Sequence, residues 1–269
     1  MMKVLSQFVT LAALFFGSWF LLARIDYVRH FHVEQITNAN EKKLGELILK
    51  DVDRQNQQLK SDTVQAFVDS IKRRLCVANG IADSSIDIHV LLKDNVNAFA
   101  LPGGHIVIYT GLIEYCKSPE ELSGVLAHEL AHIEHGDVMK KLMTDVGFSM
   151  LTVIAGGNSS EGVGQELVRL LSSSAFDRKQ ESEADTAAVR MLAKANIDPQ
   201  YFADLLFRLS QEKDNTPKRF ELLSTHPNSQ DRAAEILKLR RQVAFHSTAI
   251  ADSSTWAAIK GIVTDSEKD

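Results

Sequence analysis

His128-Glu129-Leu130-Ala131-His132 sets two imidazoles four residues apart with a carboxylate directly after the first, residue types that together can hold a metal and a proton-accepting base. On a helix, His128 and His132 lie one turn apart on one face, so both rings reach a single ion, and Glu129 projects beside them toward a bound water. That arrangement suits hydrolysis. Zinc lowers the pKa of water toward about 7 and polarises a carbonyl, while the carboxylate takes the water proton and passes it to the leaving amine. A solvated charged turn is the plainer alternative. It fits poorly, because Leu126, Ala127, Leu130, Ala131 and Ile133 make the same turns apolar, and ionisable groups in such a setting need a partner or a metal.

Two histidines and a water leave a tetrahedral zinc one protein ligand short. Gly136 and Met139 do not fit the spacing of a third histidine further along the same segment, so a later element must donate. Glu181-Ser182-Glu183-Ala184-Asp185 offers Glu181 and Asp185 four apart on one helix face, Glu181 as a ligand and Asp185 behind it to orient an imidazole. Read alone, this segment favours a solvated acidic face.

The elements that must position these groups are readable in outline. Ser118-Pro119-Glu120-Glu121 is a helix start, with a capping serine, proline at the first helical position and glutamate three residues after the cap. Helices are predicted over 119–134, 138–155, 165–175, 179–195, 199–211 and 230–243, and a further one after Ser61 or Asp62 with Val64, Phe67, Val68, Ile71 and Leu75 as its apolar stripe. Alternation predicts three strands, 86–92, 97–101 and 105–110, the last two joined by Pro102-Gly103-Gly104 as a small antiparallel sheet. Residues 156–164 are glycine-rich and read as a loop.

Residues 4–23 carry no charge and are long enough to cross a bilayer as one helix. The bulky Trp19, Phe20, Leu21 and Leu22 favour an uncleaved anchor over a cleaved signal peptide. The predicted order is therefore an anchor at 1–26, a helical stalk at 27–60, a catalytic domain at 61–245 and a tail at 246–269. A net charge of -5 gives no electrostatic ground for binding nucleic acid. Two cysteines, Cys76 and Cys116, exclude a CxxC motif and allow a single disulfide, for which their Cα atoms must lie within about 7 Å. His30, His32, His89, His105, His135 and His246 have no metal-ligand spacing and read as structural or surface residues.

Four motifs in order, Asn97-Ala98-Phe99-Ala100-Leu101-Pro102-Gly103-Gly104, His128 to His132, Glu181 to Asp185, and Thr225-His226-Pro227 followed by Arg232, resemble the HtpX, Oma and CAAX-prenyl-protease family of zinc metallopeptidases, in its BepA-like bacterial envelope branch. The resemblance spans about residues 61–243. It implies a mainly helical α+β gluzincin fold with a small sheet, and one zinc per chain on His128, His132 and Glu181. It also implies Glu129 as general base and acid, and Asp185 as support for a ligand histidine. Asn97 and Ala98 fall on an implied edge strand that pairs with the substrate backbone. His226 is implied as a switch that sits on the zinc, against the plainer reading of a turn histidine before Pro227, and Arg232 as a contact to substrate or to the reacting carbonyl. The expected protein is a membrane-anchored endopeptidase of misfolded or unassembled envelope proteins, in the bacterial inner membrane with its catalytic domain facing the periplasm. The alternative is a latent client-binding or assembly factor with its zinc blocked by His226. No helical repeat follows Val243, so a BepA-type scaffolding arm is not expected.

Overall fold

In a computed structural model, residues 33–147, 151, 154, 163–173, 175–212 and 219–267 are described. The predicted anchor, with His30 and His32, and most of the glycine-rich loop lie outside them, and no helix among the described residues is long and apolar enough to cross a membrane. The chain divides into two units, Met1–Asn40 and Glu41–Asp269. What is described of the first is the opening of a helix; the rest of the fold concerns the second.

The strands are β1 (Asp87–Leu91), β2 (Ala98–Leu101) and β3 (His105–Tyr109). Proline and two glycines turn β2 back on β3, with Phe99 opposite Val107 and Leu101 opposite His105. The expected antiparallel sheet is corrected in one respect: β1 pairs with β3 in parallel, so the order is β1-β3-β2 and the sheet is mixed. Strands two apart in an up-down-up path run the same way, and here the chain places the first against the third. The consequence is that β2 is left at an edge.

Side chains alternate across β3. Ile106 and Ile108 enter one core, Val107 and Tyr109 the other. The first core is closed by α2 (Asp62–Asn79), α4 (Pro119–Glu134), α7 (Arg178–Lys194), α8 (Gln200–Gln211) and α10 (Ser229–Arg240). Between them run the short helices α3 (Thr110–Tyr115) and α9 (Glu221–Thr225). The second core takes residues from α5 (Asp137–Asp145) and α6 (Val163–Ser173), with Leu151 and Ile154 also buried.

Two segments differ from the predicted stalk and tail. In α1 (Val33–Gln55), Leu44, Ile48 and Val52 are buried in the second core. In α11 (Ser253–Ser266), Trp256, Ile259 and Val263 are buried in the first, a two-turn stripe too short to stand out in a small polar segment. Cys76 and Cys116 are buried free thiols rather than a bridge. Both serve as small apolar groups in the first core, and burial pushes the Cys76 thiol up to about 11.

Candidate metal centre

Helix α4 begins as its residues dictate: the Ser118 hydroxyl accepts from the Glu121 amide, and Pro119 opens the first turn. Arg208 of α8 grips the Glu121 carboxylate at 2.6 and 2.8 Å. Gly124 lets α8 come close, since a Cβ there would stand 2.4 Å from that of Phe202. Thus α4 is wedged into the core, and His128, Glu129 and His132 are each at most 2% exposed.

Four side chains from three elements converge: His128 and His132 of α4, Glu181 of α7, and His226 at the end of α9. Their donor atoms all lie within 4.8 Å of one another. Zinc–nitrogen bonds of 2.0–2.1 Å make a tetrahedron with edges of about 3.3 Å. The Nε2 atoms of His128 and His132 are 3.1 Å apart, and His128 Nε2 is 3.2 Å from His226 Nδ1. Glu181 Oε1 is 3.5 Å from His132 Nε2 and 2.8 Å from His226 Nδ1. Three imidazole nitrogens and a carboxylate oxygen thus face one common point, and Glu181 Oε2 is buried without an aligned hydrogen bond, its nearest charge being Arg232 Nη1. The residues therefore fit a divalent ion of the zinc kind, with three nitrogen donors and one oxygen.

Around the donors stands a ring of orienting groups. His128 Nδ1 is 3.0 Å from Asp185 Oδ1, and His132 Nδ1 is 3.0 Å from Asp137 Oδ2, so each carboxylate sets its ring with Nε2 inward. Asp185 comes from α7, one turn beyond Glu181. Asp137 was missed; its signal is Gly136, whose positive φ of 65° ends α4 in a tight turn that folds the next residue back toward His132. Phe176 was missed too, and stacks on His132 with ring centres 4.1 Å apart. His135, by contrast, caps α4 away from the cluster.

Glu129 is held by one oxygen. The Ala100 amide on β2 donates to Oε2 at 2.9 Å, whereas Oε1 is buried and has no hydrogen bond, with His226 Nε2 at 3.4 Å. Asn97 O accepts from Tyr109 N of β3, so by alternation Ala98 and Ala100 turn their backbone groups to the outer edge. Of the two substrate contacts predicted on the strand, Ala98 lies on that edge. Asn97 faces the sheet with its backbone, and its side chain donates to Ser172 O and Glu221 Oε2, both at 3.3 Å.

Arg232, the third predicted substrate contact, is buried beside the donor cluster and paired with acids. Its Nε and Nη2 donate to the Asp185 carboxylate at 2.8 and 2.7 Å, Nη1 is 2.7 Å from Glu181 Oε2, and Nη1 also donates to His226 O at 3.3 Å. Its charge balances two buried acids. Among protein groups alone, burial drives His128 down to about 4, the Arg232 charge adding to the effect. Burial also opposes charge on His226, but the Glu181 and Glu129 carboxylates outweigh it and raise the ring to about 9. Glu181 and Asp185, which burial would push up, are held well below the usual carboxylate range by the cationic His226 and Arg232.

Comparison with known proteins agrees with this geometry. The chain is 30% identical over 173 residues to mitochondrial metalloendopeptidase OMA1 of Schizosaccharomyces pombe, covering 63% of this chain and 51% of that protein. It is 23% identical over 206 residues to the beta-barrel assembly-enhancing protease of Yersinia pestis, covering 72% and 42%. With metalloprotease LoiP of Escherichia coli it shares 26% identity over 216 residues, 77% of this chain and 82% of that one. The chain thus spans about half the length of the first two. The model of peptidase family M48 matches residues 62–240, which include the donors, Glu129, both orienting carboxylates and the edge strand, and the chain belongs to that family.

Proposed function

We infer that this chain is a zinc-dependent endopeptidase that hydrolyses extended polypeptide segments, with one zinc per chain on His128, His132 and Glu181. The observation that carries the reading is the placement of Glu129: one oxygen tied to the edge strand, the other free beside the donor cluster. Bound zinc would polarise the scissile carbonyl and acidify a water. Glu129 Oε1 then accepts the water proton and returns it to the leaving amine, Oε2 staying on Ala100 N–H so that the carboxylate does not turn away. Ala98, buried in this structure, turns its amide and carbonyl to the outer edge of β2, where an extended chain would pair beside Glu129 once that edge is uncovered. Asp185 and Asp137 keep the two imidazoles aimed, and Arg232 keeps Asp185 and Glu181 ionised.

The relative named beta-barrel assembly-enhancing protease supports a bacterial envelope setting. Residues 4–23 support a membrane anchor, and the resemblance to a beta-barrel assembly-enhancing protease supports an inner-membrane location with the catalytic unit on the periplasmic side, acting on misfolded or unassembled proteins. Cleavage of casein and of an unfolded outer-membrane protein by the full chain tests the activity; chelation should stop it and zinc restore it. The choice of carboxylate is testable by metal analysis. Glu181→Ala should weaken zinc retention by at least about 100-fold, beyond the usual loss for an orienting residue. Glu183→Ala should retain full zinc, because Glu183 is exposed and lies near Lys179.

The second reading, a latent client-binding factor, is favoured by one observation: His226 Nδ1 occupies the fourth corner of the donor set. A neutral imidazole there excludes the water that Glu129 must activate. On this reading His226→Ala raises basal casein cleavage and self-cleavage by about tenfold, the scale of one displaced ligand-strength contact. An inactive variant with zinc and fold intact would instead make His226 part of the catalytic machinery.

A further inference from the structure

His226 follows Glu221 by five residues, directly after the short helix that Glu221 opens, and Glu221 is fastened to the root of the edge strand. Its carboxylate accepts from Asn95 Nδ2 at 2.9 Å and from Asn97 Nδ2 at 3.3 Å, and Lys93 Nζ stands 3.5 Å away. The backbone repeats the connection: Val96 N donates to Arg219 O at 2.7 Å, and Leu222 N donates to Val96 O at 3.1 Å. His226 caps the short helix, its N–H donating to Leu222 O at 2.9 Å, so its backbone is tied to the residue that follows Glu221. The Asn97 end of this connection is loosely made. Its two donations, to Glu221 and to Ser172 O at the end of α6, are both long, and Asn97 Oδ1 is buried with no partner.

The geometry points to Glu221 and Asn97 as positioning residues that clip His226 onto the metal donors from the strand on which substrate would lie. The inference rests on His226 being a metal ligand in the resting chain. A purely architectural contact would stabilise the fold equally with or without His226. A clip acts through that ring, so its effect is seen only while His226 is present.

The test uses the full chain loaded with cobalt(II), whose visible absorption separates four protein donors from three plus water. Glu221→Ala should move the spectrum toward that of His226→Ala and speed zinc loss to a chelator by about tenfold, the scale of one hydrogen bond to a charged group. In the His226→Ala background it should add nothing. Glu221→Gln keeps the side-chain volume and should give a smaller shift in the same direction, which serves if the alanine variant folds poorly. A parental spectrum and parental zinc retention in the Glu221 variants overturn the clip. So does an equal acceleration of zinc loss in the His226→Ala background. If His226→Ala itself keeps the parental spectrum, His226 is no ligand and the clip falls together with the latency reading, an outcome distinct from failure of the clip alone.

Discussion

Glu129→Gln should lower casein cleavage by about 10³-fold or more while zinc stays bound, a loss within the range for removing a positioned general base from a metal-assisted hydrolysis. The amide is nearly isosteric and is still able to accept the Ala100 N–H through its carbonyl oxygen, so the link to β2 survives. What disappears is the second oxygen, Oε1, the buried acceptor that no other group satisfies. A glutamine NH2 there cannot take a proton from water. Glu129 is not among the four converging donors, so metal content and thermal stability should stay near parental. Loss of zinc in this variant would show Glu129 to be a ligand and remove the assigned role.

Arg232→Met should destabilise the protein by about 3–5 kcal/mol in urea titration at neutral pH, the usual cost of stripping one partner from a buried ion pair. The guanidinium is 8% exposed and makes a two-pronged bond to Asp185 while reaching Glu181 and the His226 carbonyl. Methionine fills much of the space but leaves the Asp185 charge uncompensated. The pH dependence distinguishes this from simple loss of packing. In the parent, burial raises the Asp185 carboxyl but Arg232 outweighs it, so the folded pKa lies below the ordinary 3.8. That contribution is present above about pH 4 and is lost as pH falls toward the depressed value. In the variant only the burial effect and the His128 contact remain, the folded pKa rises, and the deficit should shrink as pH is lowered from 7.5 toward 5. A deficit that is constant across that window would mean that Arg232 acts through packing alone. If Arg232→Met were instead as stable as the parent and impaired only in substrate KM, the guanidinium would belong to substrate binding.

Much of this arrangement is written in short-range pattern. Ser118 and Pro119 start a helix wherever they precede an amphipathic run, and four residues of helix bring His128 and His132 to one face whatever surrounds them. The same local logic marks the Glu181 helix and the three strands, because periods of 3.6 and 2 are properties of the backbone itself. Partnerships across long stretches of chain were decided only by the tertiary structure. Nothing in the alternation of residues 86–110 says that β1 joins β3 instead of β2, yet that order leaves the Ala98 and Ala100 backbone on an outer edge and gives Glu129 its amide donor. A backbone N–H carries no residue-type signal, so Ala100 could not be read. Arg232 has the same donors for a substrate carbonyl as for two buried acids, and packing against α7 chose the acids. Leu44, Ile48 and Trp256 are apolar enough for either surface or core, and only the faces left open by the sheet and the helices settled them inside. Asp137 reached His132 because Gly136 accepts a left-handed turn, a conformation that the glycine permits and that the closing of α5 onto the second core makes the one adopted.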